Sequence, residues 1–210
     1  MSTITLQSLE PLFFSPLMTF QLPLANVLNA RLRSEIGAIR RQSPGVQRSN
    51  QNGWHSNDDF FDRKEPACRE LIGHIVESVR QATGAISPQF DFAKTGGAQF
   101  EGWINLSGKG AYNTPHDHPG WAWSGSYYVH VPEGAPGRSG SIEFLDTRTN
   151  TRVVSIEGAA CYMGKYTTQP KSGQLLLFPS YLRHWVYPNE LDEDRISIAF
   201  NARFVRRNHP

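Results

Sequence analysis

Three short runs near the end of the chain decide how it folds: Gly173-Gln174-Leu175-Leu176-Leu177-Phe178-Pro179, then His184-Trp185-Val186-Tyr187, then Arg195-Ile196-Ser197-Ile198-Ala199-Phe200-Asn201. The first is a short apolar run closed by glycine and proline, the pattern of a buried strand. The third alternates. Ile196, Ile198 and Phe200 share one face, and Arg195, Ser197, Ala199 and Asn201 share the other. Working back toward residue 97, the texture stays the same. Candidate strands are Gln99 to Leu106, Trp123 to Val131, Ser141 to Leu145 and Arg152 to Ile156, followed by Gln174 to Phe178, His184 to Tyr187 and Arg195 to Phe204. Turn residues separate them at Gly108-Lys109-Gly110, Pro119-Gly120, Pro132 to Gly140, Lys171-Ser172-Gly173 and Pro188 to Asp194. Seven strands with no helix between them predict an antiparallel sandwich or jelly roll.

The first half reads differently. From Ala25 to Arg41 the apolar residues Leu28, Leu32, Ile36 and Ile39 fall on one helical face, with Arg31, Arg33, Glu35 and Arg40 opposite. A second helix is predicted from about Lys64 to Ala82, with a stripe of Cys68, Leu71, Ile72, Ile75, Val76 and Val79, Pro66 in its first turn and Gly84 after its end. Between the helices runs a polar connection, Ser43 to Asp59, in which Trp54 must bury itself or line something. The layout is α+β, with the helices covering one sheet of a β core.

The chain has 210 residues, close to one domain with embellishments at about 150 residues per domain. It is 39% hydrophobic and 19% charged, which is globular composition, too apolar for disorder. Its 21 basic and 19 acidic residues leave a charge of +2, no electrostatic case for nucleic acid as a partner. Cys68 and Cys161 lie far apart and form no paired framework, as expected in a reducing compartment. No basic stretch precedes the apolar residues of the first twenty, and no run of 18 apolar residues occurs, so neither a signal peptide nor a membrane span is expected. These features together predict a cytoplasmic protein.

Chemistry gathers around three of the seven histidines. In an extended segment residues two apart point the same way, so His116 and His118 can present two imidazoles to one point while Asp117 faces away. Pro115 and Pro119 stiffen the pair. His184, at the entry of a neighbouring strand, can complete a facial set of three that leaves cis positions open on an octahedral metal. The plain alternative is exposed loop histidines. On the last strand, Arg195 with Ser197 beside it suits a carboxylate, and would be costly to bury unpaired. The alternative there is a surface ion pair with Asp192 or Asp194. Ser124, Ser126 and Tyr128 share a strand face. Trp121 and Trp123, with Trp54 and His55 from the polar connection, could wall a substrate mouth or simply cover the open end of the β structure. His74 and His130 read as structural, and His209 as solvated tail.

The stretch from about Trp103 to Asn201 resembles the 2-oxoglutarate- and iron(II)-dependent oxygenase superfamily, and within it a prolyl-hydroxylase-like branch carrying an HxH variant. The resemblance rests on Trp103-x-Asn105, His116-x-His118-Pro119, Ser124-Gly125-Ser126-Tyr127-Tyr128-Val129, Gly140-Ser141-Ile142-Glu143-Phe144-x-Asp146, Gly173 to Pro179, His184 and Arg195-x-Ser197. Ser49, Asn50, Gly53, Trp54 and Ser56 match a segment of the same branch nearer the N-terminus. The resemblance implies a double-stranded β-helix, cupin-like, over residues 96–206 with a mainly helical support region over 1–95, the whole of 1–210 forming one domain. It implies iron(II) at His116, His118 and His184, although most of the superfamily has aspartate where His118 stands. Whether Asp117 or Glu101 adds a carboxylate is left open. It further implies 2-oxoglutarate as cosubstrate, its distal carboxylate held by Arg195 and Ser197 with help from Tyr128, and with Asn105 and Ser124 on the cosubstrate side.

The function so implied is a dioxygenase that hydroxylates a C–H bond of a small molecule or peptide, with dioxygen as the other partner and no acid–base side chain beyond the metal centre. Two rivals remain at this stage. One is a three-histidine cupin-like dioxygenase that needs no 2-oxoglutarate; the other is a β-helix domain that binds metal or ligand without catalysis.

Overall fold

The computed structural model describes residues 7–8, 12–148 and 156–206. Along the chain these form β1 (Met18–Gln21), α1 (Ala25–Gln42), two-residue strands β2 (Asn50–Gln51) and β3 (Trp54–His55), α2 (Pro66–Ile86), β4 (Thr95–Ser107), β5 (Tyr112–His116), β6 (Trp123–His130), β7 (Ile142–Leu145), β8 (Lys165–Thr168), β9 (Gln174–Pro179), β10 (His184–Val186) and β11 (Arg195–Arg206). The strands make two antiparallel sheets, one of six in the order β1-β9-β6-β11-β4-β3 and one of five in the order β2-β5-β10-β7-β8. They face each other as a double-stranded β-helix.

Strand β9 explains the arrangement. Leu175 and Leu177 project into the cluster shared with the helices, while Leu176 and Phe178 project into a second cluster with Tyr128, Ile142, Phe144 and Val186 of both sheets. A strand covered on both faces has no polar side to show, hence its unbroken apolar run. Leu28, Leu32, Ile36 and Ile39 of α1 and Ala67, Cys68, Leu71, Ile75 and Val79 of α2 bury the outer face of the six-stranded sheet. Val76, expected in the α2 stripe, stays exposed.

Helix α2 begins two residues later than expected and runs on through Gly84 to Ile86. Its last turn is held by tertiary contact. Thr83 is buried, donates to the Val79 carbonyl (2.8 Å) and accepts from the indole Nε1 of Trp123 (3.0 Å), which overrides the weak helix preference of the glycine. Its first turn is capped from another helix: the Glu35 carboxylate of α1 accepts from the backbone N–H groups of Ala67 (2.9 Å) and Cys68 (3.0 Å). A carboxylate there satisfies two otherwise orphaned donors at the positive end of the helix. Glu35→Ala is therefore expected to cost about 1–2 kcal/mol, a fall in Tm of roughly 2–8 °C by thermal denaturation. An unchanged Tm would show that water caps the turn equally well.

The expected strand Arg152 to Ile156 lies, up to residue 155, outside the described residues, and Ile156 is not in a strand. The edge beside β7 is supplied by β8 instead. Strand β1, not foreseen, closes the other sheet by pairing with β9. The polar connection between the helices is likewise stitched in, β2 to β5 and β3 to β4.

Candidate metal centre

At one end of the cavity, β5 and β10 bring His116 and His184 opposite each other in register, and β7 places Phe144 on the far side of His184. His118 follows the end of β5, and its backbone N–H donates to the Ser180 carbonyl (3.0 Å), tying that loop to the end of β9. Ring centroids lie 4.5 Å apart for His116 and His184, 5.0 Å for His116 and His118, and 5.4 Å for His118 and His184. One ring nitrogen from each falls within 4.8 Å of the other two.

Two of the rings have fixed tautomers. Nδ1–H of His116 donates to the Thr114 carbonyl (2.6 Å) and Nδ1–H of His184 to the Leu182 carbonyl (2.9 Å), which leaves Nε2 of each as the free lone pair. The third ring has a different neighbour: Nδ1 of His118 sits 3.4 Å from the Asn201 amide nitrogen. That amide is itself directed, since Oδ1 accepts from the Ser124 hydroxyl (2.6 Å) and Nδ2 donates to Glu101 (2.8 Å). Burial lowers the pKa of all three histidines. His118 falls to about 4, helped by the neighbouring His116, and His184 to about 3. They are thus neutral at neutral pH, the form that donates to a metal. Asp117 is exposed, Glu101 is engaged with Asn201, and among the described residues the cluster contains imidazoles alone. Three histidines and no carboxylate is the ligand set on offer.

The cavity continues away from the histidines to Arg195. Arg195 is 3% exposed, yet among the described residues it has no carboxylate partner. Asp192 pairs with Lys109 and Asp194 with Arg40, so the surface ion pair considered from the sequence is not formed. Arg195 lies 4.9 Å over the Tyr128 ring and makes one long contact to the Ser197 hydroxyl (3.4 Å). Gly140, at φ +66°, lets the backbone approach the Arg195 stem; a Cβ there would sit 3.3 Å from Cδ. Among the described residues, three buried polar atoms at this end have no hydrogen-bond partner: Arg195 Nε, the Tyr128 hydroxyl and Asn105 Oδ1. Burial lowers the Arg195 pKa and raises that of Tyr128. A guanidinium does not discharge at working pH, so a buried one without an anion is a costly arrangement in the free protein. It is the arrangement that a dicarboxylate chelating a metal at the histidines would complete.

Asn105, Ser124, Tyr128, Arg195 and Ser197 all line this cavity. Ser124 turns toward Asn201 and Ser180 rather than toward Arg195. The expected aromatic mouth is corrected in three of four places. Trp123 points the other way, into the helix-packed core, because it has the opposite strand parity to Ser124. Trp54 packs on the same core, its indole donating to the Ser43 carbonyl (3.1 Å). His55 is 2% exposed and stacked on Trp103 (5.3 Å), behind the cavity wall. Trp121 is half-buried beneath the Arg203 guanidinium (4.7 Å). The wall residue that sequence did not single out for the site is Trp103, 5.7 Å from His118. Ser49 and Asn113 were also missed. They line the cavity and touch each other (3.3 Å), and the only signal was Ser49 within the matched N-terminal segment.

A jelly roll with neutral imidazoles at one end and an arginine without an anion below them is the arrangement expected of a non-haem metal enzyme that binds an acidic cosubstrate. Residues 101–201 match the family model described as "Putative 2OG-Fe(II) oxygenase", so this stretch is similar to the 2-oxoglutarate- and iron(II)-dependent oxygenases. The residues present fit the two cofactors of that family, the histidine cluster iron(II) and the orphaned polar atoms around Arg195 the cosubstrate 2-oxoglutarate. No curated protein sequence matches the chain. Among solved structures, a Pseudomonas putida prolyl-4-hydroxylase is similar at 19% identity, covering 91% of this chain and 93% of that one with a TM-score of 0.60. A Trichoplax adhaerens prolyl hydroxylase, solved with a hypoxia-inducible-factor peptide, is similar at 12% identity over 90% and 83% of the two chains, TM-score 0.63. HygX of Streptomyces hygroscopicus, solved with nickel, 2-oxoglutarate and hygromycin B, shares 13% identity over 90% and 82%, TM-score 0.60. At these identities the likeness speaks for the fold.

Proposed function

We propose that the protein hydroxylates a C–H bond of a small molecule or peptide, with His116, His118 and His184 holding iron(II) and Arg195 anchoring the distal carboxylate of 2-oxoglutarate. When bound, the metal and cosubstrate supply the oxidising chemistry: dioxygen is consumed, 2-oxoglutarate becomes succinate and carbon dioxide, and one oxygen atom enters the substrate. The side chains bind, orient and exclude water. The Ser197 and Tyr128 hydroxyls flank the Arg195 guanidinium and complete a charge-assisted cradle for a carboxylate, while Asn105 offers its unpaired Oδ1 along the cosubstrate path. Phe178 and Phe144 pack on His184 and keep its ring dry and neutral.

The observation that carries this reading is the buried Arg195 without an anion. A cupin-like dioxygenase that binds only its metal would have no use for it, and a bare metal-binding scaffold would have no reason to bear its desolvation cost. The test is succinate formation from 2-oxoglutarate with iron(II) and dioxygen. Release of succinate that stops on chelation supports the reading; oxidation without 2-oxoglutarate would favour the cupin-like rival, and metal binding with no turnover the scaffold. The neighbours solved with a peptide fragment and with hygromycin B show that this fold binds ligands of different kinds. Two free cysteines, Cys68 buried and Cys161 exposed, support a cytoplasmic location, and no described helix is long and apolar enough to cross a membrane.

His118→Asp should keep iron, since two imidazoles and a carboxylate suit it, yet bind 2-oxoglutarate severalfold more weakly because the metal presents less net positive charge to the dianion. Anaerobic titration of the visible iron–2-oxoglutarate absorption measures both. His118→Ala that holds iron and turns over like the parent would remove His118 from the ligand set.

A further inference from the structure

We propose that the mouth of the cavity selects a free α-amino acid as the substrate to be oxidised, Glu101 receiving its ammonium group and Arg203 its carboxylate. The inference rests on the oxygenase reading above and narrows its substrate class.

Strands β4 and β11 pair over their whole lengths, from Ser107 opposite Arg195 to Thr95 opposite Arg206. Alternation carries Arg195, Ser197, Ala199, Asn201 and Arg203 on the cavity face of β11, and the register sets Glu101 opposite Asn201 and Gln99 opposite Arg203. Past the metal level the two strands thus continue as a ribbon whose inner face carries one acid and one base. Its outer face is pinned, Phe100 on Phe61 (4.9 Å) and Phe204 on Phe90 (4.7 Å), so the ribbon is a rigid wall rather than a loose flap.

Glu101 and Arg203 are diagonal neighbours of opposite charge, yet each is held by a neutral side chain. Glu101 accepts from the Asn201 amide nitrogen (2.8 Å), the same nitrogen that lies 3.4 Å from the His118 ring. Arg203 lies on Trp121 (4.7 Å) and gives its Nε–H to Gln99 Oε1 (2.9 Å). Stacking fixes the guanidinium plane and leaves its terminal N–H groups for a carboxylate fork. Neither charge forms an ion pair among the described residues.

The pair of charges suits one kind of ligand. A diamine would set a cation against Arg203, a dicarboxylate would set an anion against Glu101, and an internal peptide residue has neither charge to offer. A zwitterion satisfies both groups, with its side chain left free to turn toward the metal beside His118.

The test uses the enzyme loaded with iron(II) and 2-oxoglutarate without oxygen, titrated calorimetrically with each of the twenty L-amino acids. Each is compared with the corresponding decarboxylated amine and Nα-acetyl derivative. At least one amino acid should bind, with both of its derivatives about tenfold weaker or worse. Arg203→Gln should weaken the amino acid by a similar factor without affecting the amine, and Glu101→Gln should weaken it without affecting the acetyl derivative. If 2-oxoglutarate binds and no amino acid does, or if amine and amino acid bind alike, this inference is overturned while the oxygenase reading stands. If 2-oxoglutarate itself fails to bind, both fall.

Discussion

His184→Ala is expected to lose iron(II) by a factor of at least about 100, and with it the visible absorption that iron and 2-oxoglutarate give together without oxygen. Groups that only hydrogen-bond a metal-bound histidine contribute about 10–100-fold in affinity, so loss of one ligand from a set of three should exceed that. The expectation is strongest at this residue because its ring is the most fixed of the three. It is paired to β5 and β7, its Nδ1–H is bound to Leu182, and it packs on Phe178 at 4.8 Å. Removing the imidazole leaves a small gap beneath those rings, so thermal denaturation of the metal-free variant should show a cooperative transition. A folded variant with an unchanged absorption would take His184 out of the site.

Arg195→Met should raise the 2-oxoglutarate concentration needed for half-saturation by roughly 30-fold or more, from the 2–5 kcal/mol of a buried charge-assisted pair. Iron affinity should barely move, since Arg195 lies at the far end of the cavity from the histidines. Stability gives an independent sign. In the free protein Arg195 is a buried cation without an anion, so replacing it with a side chain of similar length should leave the ligand-free protein as stable as the parent or more so. The ligand reverses the order. At 100 times its Kd, 2-oxoglutarate adds about 2.7 kcal/mol to the loaded parent, a Tm rise of roughly 5–10 °C, and the variant should lose most of that rise. Arg195→Lys should recover only part of it, having a point charge in place of a fork. Equal 2-oxoglutarate affinity in parent and variant would return the question to the cupin-like rival.

How much of this was visible in the sequence follows from where each signal is stored. Period-two alternation in Arg195 to Asn201 placed Arg195 and Ser197 inward, and the same rule put His116 beside His118, because strand parity is a local property. The same rule applied to Trp123 would have turned it away from the mouth, since it neighbours Ser124 on β6; proximity in sequence to the histidines was the misleading cue. His55 and Trp54 depended on where a two-residue strand docks, and nothing local encodes that. The end of α2 was misplaced because Gly84 is a local stop signal, while the bond from Trp123 to Thr83 that carries the helix past it joins residues 40 apart. The lack of a partner for Arg195 is wholly tertiary: Asp192 and Asp194 are close in sequence and are drawn to Lys109 and Arg40 instead.

The strand order also governs how the molecule comes into being on the ribosome. Strand β11, last of the described strands, lies in the middle of the larger sheet, with β4 on one side and β6 on the other. The contact of Glu101 with Asn201 closes a separation of 100 residues, and that of Gln21 with Gly173 closes 152. Such pairings cannot form as a hairpin does, so folding belongs to the slow, millisecond-to-second regime of non-local β proteins. At about 5–20 residues per second, roughly 5–20 s separate the emergence of β4 from that of its partner. Through that interval Trp103 and Ile104 wait on an open strand edge, a natural client for a chaperone, and the three-histidine site cannot form until His184 has emerged.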